Sequence, residues 1–113
     1  MDIGVISTRY ARALLKSATD AKLDVQVYQE MITLAKSYTD VPMLRQTIDN
    51  PMLDKAKKQT LLETATGGTP SKLTQTFIAL VLKEDRENMI QFMAYSYVTL
   101  YRKQKNVDRK SVV

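Results

Sequence analysis

Cysteine and histidine, the side chains that carry much of enzyme and metal chemistry, are both missing from this sequence. Their absence removes the thiolate nucleophile, the commonest general base and the commonest transition-metal ligand. Catalysis would have to rest on carboxylates, lysines, tyrosines or hydroxyls. Glu84, Asp85 and Glu87 cluster closely enough to attract a hard cation. They lack the alternating oxygen ligands and the glycine turn of a calcium loop, so a solvated helix junction explains them better. Lys55, Lys57 and Lys58 form a short basic run that reads as a solvated helix start. Tyr95, Tyr97 and Tyr101, with Arg102 and Lys103, could stack single-stranded bases, yet they recur at the spacing of a packed helix face. Gly67-Gly68 is not followed by the Lys-Ser/Thr pair of a phosphate loop and suits a helix terminus. None of these groups builds an active site, and no cofactor or metal is expected.

The elements that must position these residues offer something different: apolar surface in excess. On a helix, Ile3, Ile6, Tyr10, Ala13 and Ser17 share one side. Ala11, Leu14, Leu15 and Ala18 share the next. That arc is wider than one core contact needs. Its alanines allow another helix to approach closely, and Tyr10 adds a flat anchor with a polar tip. The run Phe77-Ile78-Ala79-Leu80-Val81-Leu82 is apolar all round, which fits either a central core position or a face that something else covers. Together the two stretches point to a helix-in-groove interaction module.

The remainder of the chain is punctuated as a helical bundle. At 113 residues and 44% hydrophobic it is one domain with a real core, and 3 Gly and 3 Pro leave little for a β sandwich. A first helix is expected over about 3–19. A second is capped by Asp24 and carries the stripe Tyr28, Met31, Ile32, Ala35 and Tyr38. A short third has Pro42 in its first turn and ends at Asn50-Pro51. The fourth starts at Asp54 and closes on Gly67-Gly68, and the fifth starts from Thr69-Pro70. After the charged break 84–87 comes a long sixth helix through Met89, Ile90, Met93, Tyr97, Leu100 and Tyr101. The fold class is therefore all-α, a six-helix bundle over 1–106. Residues 107–113 change period and are expected to begin a linker or strand leading to a further domain.

Charge separates body from tail. Residues 101–113 hold five basic groups against Asp108, while the preceding 100 carry 12 basic and 11 acidic. A nucleic-acid surface spreads its cations over a folded face, whereas this pattern suits a helix C-terminus running into solvent. No window has the length of apolar sequence that a membrane span requires, and the acidic start Met1-Asp2-Ile3-Gly4 is unlike a signal peptide.

The order of these segments resembles a known family: the δ subunit of bacterial F-type ATP synthase, counterpart of the mitochondrial oligomycin-sensitivity-conferring protein. Arg9-Tyr10-Ala11-Arg12-Ala13-Leu14 is similar to the family's opening Tyr-Ala-x-Ala-hydrophobic signature. Leu44, Asn50-Pro51-Met52-Leu53 and Leu61-Leu62 resemble its middle section. The segment 77–86 resembles its Phe-Leu-x-Leu-Leu-x-Glu-Asn-Gly-Arg stretch, with Asp85 standing where the family often has glycine. The resemblance implies the N-terminal domain of a non-catalytic peripheral-stalk (stator) subunit. Its partner would be the N-terminal helix of an α subunit. The b-type stalk subunits would be reached through a C-terminal domain that this chain lacks. The implied location is the cytoplasmic face of the bacterial inner membrane, held there only through the complex. Carried onto this sequence, the partner groove would be lined by Ile6, Tyr10, Ala13, Leu14 and Ser17 on one wall. Ile78, Ala79, Leu80, Val81 and Lys83 would form the other. An all-α RNA-binding protein using the basic C-terminal tail is the alternative.

Overall fold

The structure is a computed structural model that describes the backbone of residues 3–112 and the side chains of residues 3–105. Among these, the elements are α1 (Ile3–Asp20), α2 (Asp24–Asp40), α3 (Met43–Asp49), α4 (Lys55–Ala65), α5 (Lys72–Lys83), a 3₁₀ turn (Glu87–Met89) and α6 (Ile90–Val112). The all-α expectation holds. The change to linker or strand expected at 107 is not seen in the backbone, which α6 carries to Val112.

The core forms where three long amphipathic stripes meet. α6 packs chiefly against α1 and α2, and α5 chiefly against α4. From α1 come Ile6, Ala11, Leu14, Leu15 and Ala18; from α2, Val27, Met31, Leu34 and Ala35; from α6, Ile90, Met93, Ala94 and Tyr97. Tyr97 is fully buried with its hydroxyl donating to the Asp24 carbonyl oxygen at 2.9 Å. Burial holds this phenol well above the usual tyrosine range, with the Asp24 carboxylate adding to the shift.

Three helices stop by the same device. In α1, Leu23 N donates to Ala18 O and Lys22 N to Thr19 O; in α4, Gly68 N donates to Glu63 O and Gly67 N to Thr64 O; in α5, Arg86 N donates to Val81 O and Asp85 N to Leu82 O. This paired pattern satisfies the last carbonyls and requires a left-handed residue. Gly67 (φ +119°) fills the place at no steric cost, but the other two places hold Lys22 (φ +61°) and Asp85 (φ +57°). Asp85 recovers something in return. Its carboxylate pairs with Lys55 Nζ at 2.7 Å, and Lys55 also donates to the Leu82 carbonyl at 2.7 Å. The hydrogen bond from Lys55 holds the Asp85 carboxyl below its ordinary range, so this contact is present at neutral pH and is lost as pH falls through that depressed value. Lys22 is exposed and has no such partner among the described residues. Lys22→Gly should therefore stabilise the fold by about 1 kcal/mol in urea unfolding. An unchanged midpoint would show that Lys22 is not strained. Asp85→Gly should gain less, because it forfeits Lys55.

Some helix starts differ from expectation. Asp24 is the first residue of α2 rather than its cap, and Leu23 at the cap position makes no side-chain bond. Pro42 sits at the cap of α3, just outside its first turn. α5 starts from Ser71, whose Oγ accepts from Thr74 N at 3.3 Å, and not from Thr69. The reason is long-range. Glu30 of α2 is buried, and its carboxylate accepts from Ser71 N (2.7 Å), Ser71 Oγ (3.1 Å) and Thr74 Oγ1 (2.5 Å). An acidic group at a helix N-terminus is favoured by the helix dipole and its unpaired N–H groups. The Asp54 cap is as expected, accepting from Ala56 N at 3.2 Å.

Candidate docking groove

Because α1 leans on α6 and α5 leans on α4, a cleft opens between α1 and α5. It is open to solvent, about 360 Å³ in volume, and its surface is mostly apolar. α1 contributes Arg9, Tyr10, Ala13, Leu14 and Ser17; α5 contributes Leu73, Thr76, Phe77 and Leu80, with Glu84 just beyond its end. Ala13 and Ser17 are exposed, Tyr10 is half-buried, and Leu80 is 46% exposed although it lies in the most apolar run of the chain. Arg9 and Glu84 are the charged members of the lining.

The residues expected in this groove divide by helix face. Tyr10, Ala13, Leu14, Ser17 and Leu80 line the cleft. Leu14 does so with its edge, being only 4% exposed. Ile6, Ile78 and Val81 do not: they are buried in the core. One α5 turn can offer only part of its circumference outward, and Ile78 and Val81 occupy the inward part. Ala79 and Lys83 are exposed on a neighbouring face, beside Lys55, Ala56 and Gln59 of α4. Arg9, Leu73, Thr76, Phe77 and Glu84 also line the cleft, although none of them was expected among the groove residues. Leu73, Thr76, Leu80 and Glu84 repeat at three- and four-residue spacing, so that row was visible in the sequence once its face was known.

The other groupings with possible chemistry are engaged elsewhere. Glu87 Oε2 takes Lys58 Nζ at 2.8 Å in a pair that is nearly buried, and Asp85 takes Lys55. Of the tyrosine faces that might have stacked bases, those of Tyr97 and Tyr101 pack on other tyrosines, while Tyr95 remains exposed. Tyr28 and Tyr101 lie 4.1 Å apart at 17°, and Tyr97 lies 6.3 Å from Tyr101. Arg102 donates from Nε to the Tyr28 hydroxyl at 2.8 Å. Among the described residues no helix is long and apolar enough to cross a membrane.

Fold and site together define a class: an all-α domain with a mostly apolar cleft, open to solvent, between its first and fifth helices. The chain belongs to the ATP synthase delta (OSCP) subunit family, whose sequence profile matches residues 6–113. It is 49% identical to the ATP synthase subunit delta of Phocaeicola vulgatus over 109 residues, covering 96% of this chain and 59% of that protein. It is 43% identical to the ATP synthase subunit delta of Parabacteroides distasonis, covering 96% of this chain and 61% of the relative. A more distant relative, the ATP synthase subunit delta of Enterococcus hirae, is 24% identical over 99% of this chain and 62% of its own length. The chain thus spans about three fifths of the length of these curated relatives. No solved structure matches it.

Proposed function

We propose that this chain is the head-binding part of a non-catalytic peripheral-stalk subunit of an F-type ATP synthase. In this reading its α1–α5 groove seats the N-terminal helix of an α subunit. Residues 1–106 are the binding bundle, and the segment from 107 leads to a further domain that meets the b-type stalk subunits. The complex then sits at the cytoplasmic face of the inner membrane. Family membership supports the stalk role. The observation that carries the groove assignment is the row of solvent-facing residues Tyr10, Ala13, Ser17 and Leu80 along one apolar cleft.

A stator joint must resist torque, so slow dissociation matters more than fast encounter. An amphipathic helix in a preformed groove can bury on the order of 1,200–2,000 Å² in total, enough for a specific, lasting contact. A few anchors should carry most of the binding energy, and Tyr10 is the best placed. Titrating the chain with a peptide of the cognate α subunit's N-terminal segment, followed by backbone amide shifts, should perturb residues 9–17 and 73–84 first. Shifts confined to α2, α3 or the end of α6 would overturn the groove assignment.

A further inference from the structure

α1 carries a second feature beside the groove. Arg9, Arg12 and Lys16 stand at three- and four-residue spacing and share one open depression with Ala13, which also lines the cleft. All three are exposed, and none makes a hydrogen bond or ion pair with another described residue. Like charges at these spacings disfavour a helix. Among the described residues, Lys55, Lys58 and Lys105 are each matched to a carboxylate and Lys22 is not, so what sets this strip apart is that three such cations stand side by side. The first 100 residues are nearly charge-balanced, so this strip is a local concentration and not an overspill of net charge.

We infer that the helix seated in the α1–α5 groove is acidic along its α1 flank, with Asp or Glu side chains facing Arg9, Arg12 and Lys16. The inference rests on the groove reading proposed above and adds to it the chemistry of the occupant. The apolar stripe of that helix fills the cleft over Tyr10, Ala13 and Leu80. The carboxylates on its edge lie over the basic strip, outside the dry part of the contact. Charges in such a rim position set orientation and encounter rate more than total affinity. They also give the joint a sense of direction: an occupant turned about its long axis would present the wrong edge to the cations.

The test is calorimetric titration of the chain with a peptide of the cognate α subunit's N-terminal segment, at low and high sodium chloride. A second peptide has its Asp and Glu replaced by Asn and Gln. The triple variant Arg9→Gln, Arg12→Gln, Lys16→Gln should bind the native peptide about tenfold more weakly at low salt, the sum of three rim pairs. It should lose the salt dependence that the parent shows. The neutralised peptide should bind the parent equally weakly and lose nothing further against the triple variant. Leu80→Asp, in the cleft itself, should abolish binding at either salt concentration. If Leu80→Asp abolishes binding while the triple variant and the neutralised peptide bind like the parent, the acidic-flank inference is overturned and the groove reading stands. If Leu80→Asp binds normally, or the parent does not bind the peptide, the groove reading fails and the inference with it. Displacement of the peptide by single-stranded RNA, without sensitivity to the peptide's own charge, would reassign the strip to phosphate binding and likewise overturn the inference.

Discussion

Ala13→Asp should reduce the affinity of the groove for a partner helix by about a hundredfold or more. Ala13 is exposed in the free chain, so the aspartate there is hydrated and costs the fold only the poorer helix propensity of Asp, partly offset by Arg9 and Lys16 one turn away. Docking would bring it against an apolar helix stripe. It must then either lose its water unpaired or hold the partner away from the wall, and small residues matter here because they permit close approach. Unfolding free energy should change by less than about 0.5 kcal/mol, as for ordinary surface substitutions. Calorimetry with the α-subunit peptide, together with a urea melt, reads both quantities. An unchanged dissociation constant would remove Ala13 from the interface. A lowered melting midpoint would instead make the loss one of folding.

Glu30→Ala should be the most damaging single change to the fold outside the apolar core, at about 3 kcal/mol in urea unfolding. The carboxylate accepts from Gln26, Ser71 and Thr74 at a place where water is excluded. Removing it leaves the Ser71 amide without its acceptor and the Thr74 hydroxyl with only Ser71 Oγ. The same contact fixes where α5 begins, so the variant should also loosen the α5 wall of the groove. Faster amide exchange at 71–77, with α1 unchanged, is the local signature. A loss below about 1 kcal/mol would mean that the polar cluster is replaced readily by water.

Glu30 also marks the limit of what the sequence discloses. Six helices, their order and most of their ends were legible, because each rests on local chemistry: a stripe at helical spacing, a capping aspartate, a glycine pair or a proline. Glu30 had no such signal. It looks like any solvated helical glutamate, and its partners lie 41 and 44 residues away. That distant contact also explains why Ser71 rather than Thr69 starts α5. The groove shows the same division. In α1, spacing put Ile6, Tyr10, Ala13 and Ser17 on one side, and the resemblance made that side the groove wall; Tyr10, Ala13 and Ser17 do line the cleft, but Ile6 is buried. α5 is apolar on every side, so nothing local could tell Leu80, which faces out, from Ile78 and Val81, which face in. Only the packing of α5 on its neighbours settles that choice, and packing is a property of the whole bundle.

The placement of α6 bears on how the bundle would carry force. Its buried row lies alongside α1 and α2, and toward the end of its described side chains the Tyr28–Tyr101 stack and Lys105 reaching Asp24 at 3.5 Å fasten it to α2. A pull along the axis of α6 strains all of these side-by-side contacts at once, in shear, and none can give way alone. A sideways pull at the same end opens them in sequence, with the exposed Lys105–Asp24 contact first and the aromatic stack next. The domain should therefore be stiff to tension along α6 and compliant to bending across it, as in a strut hinged at its foot.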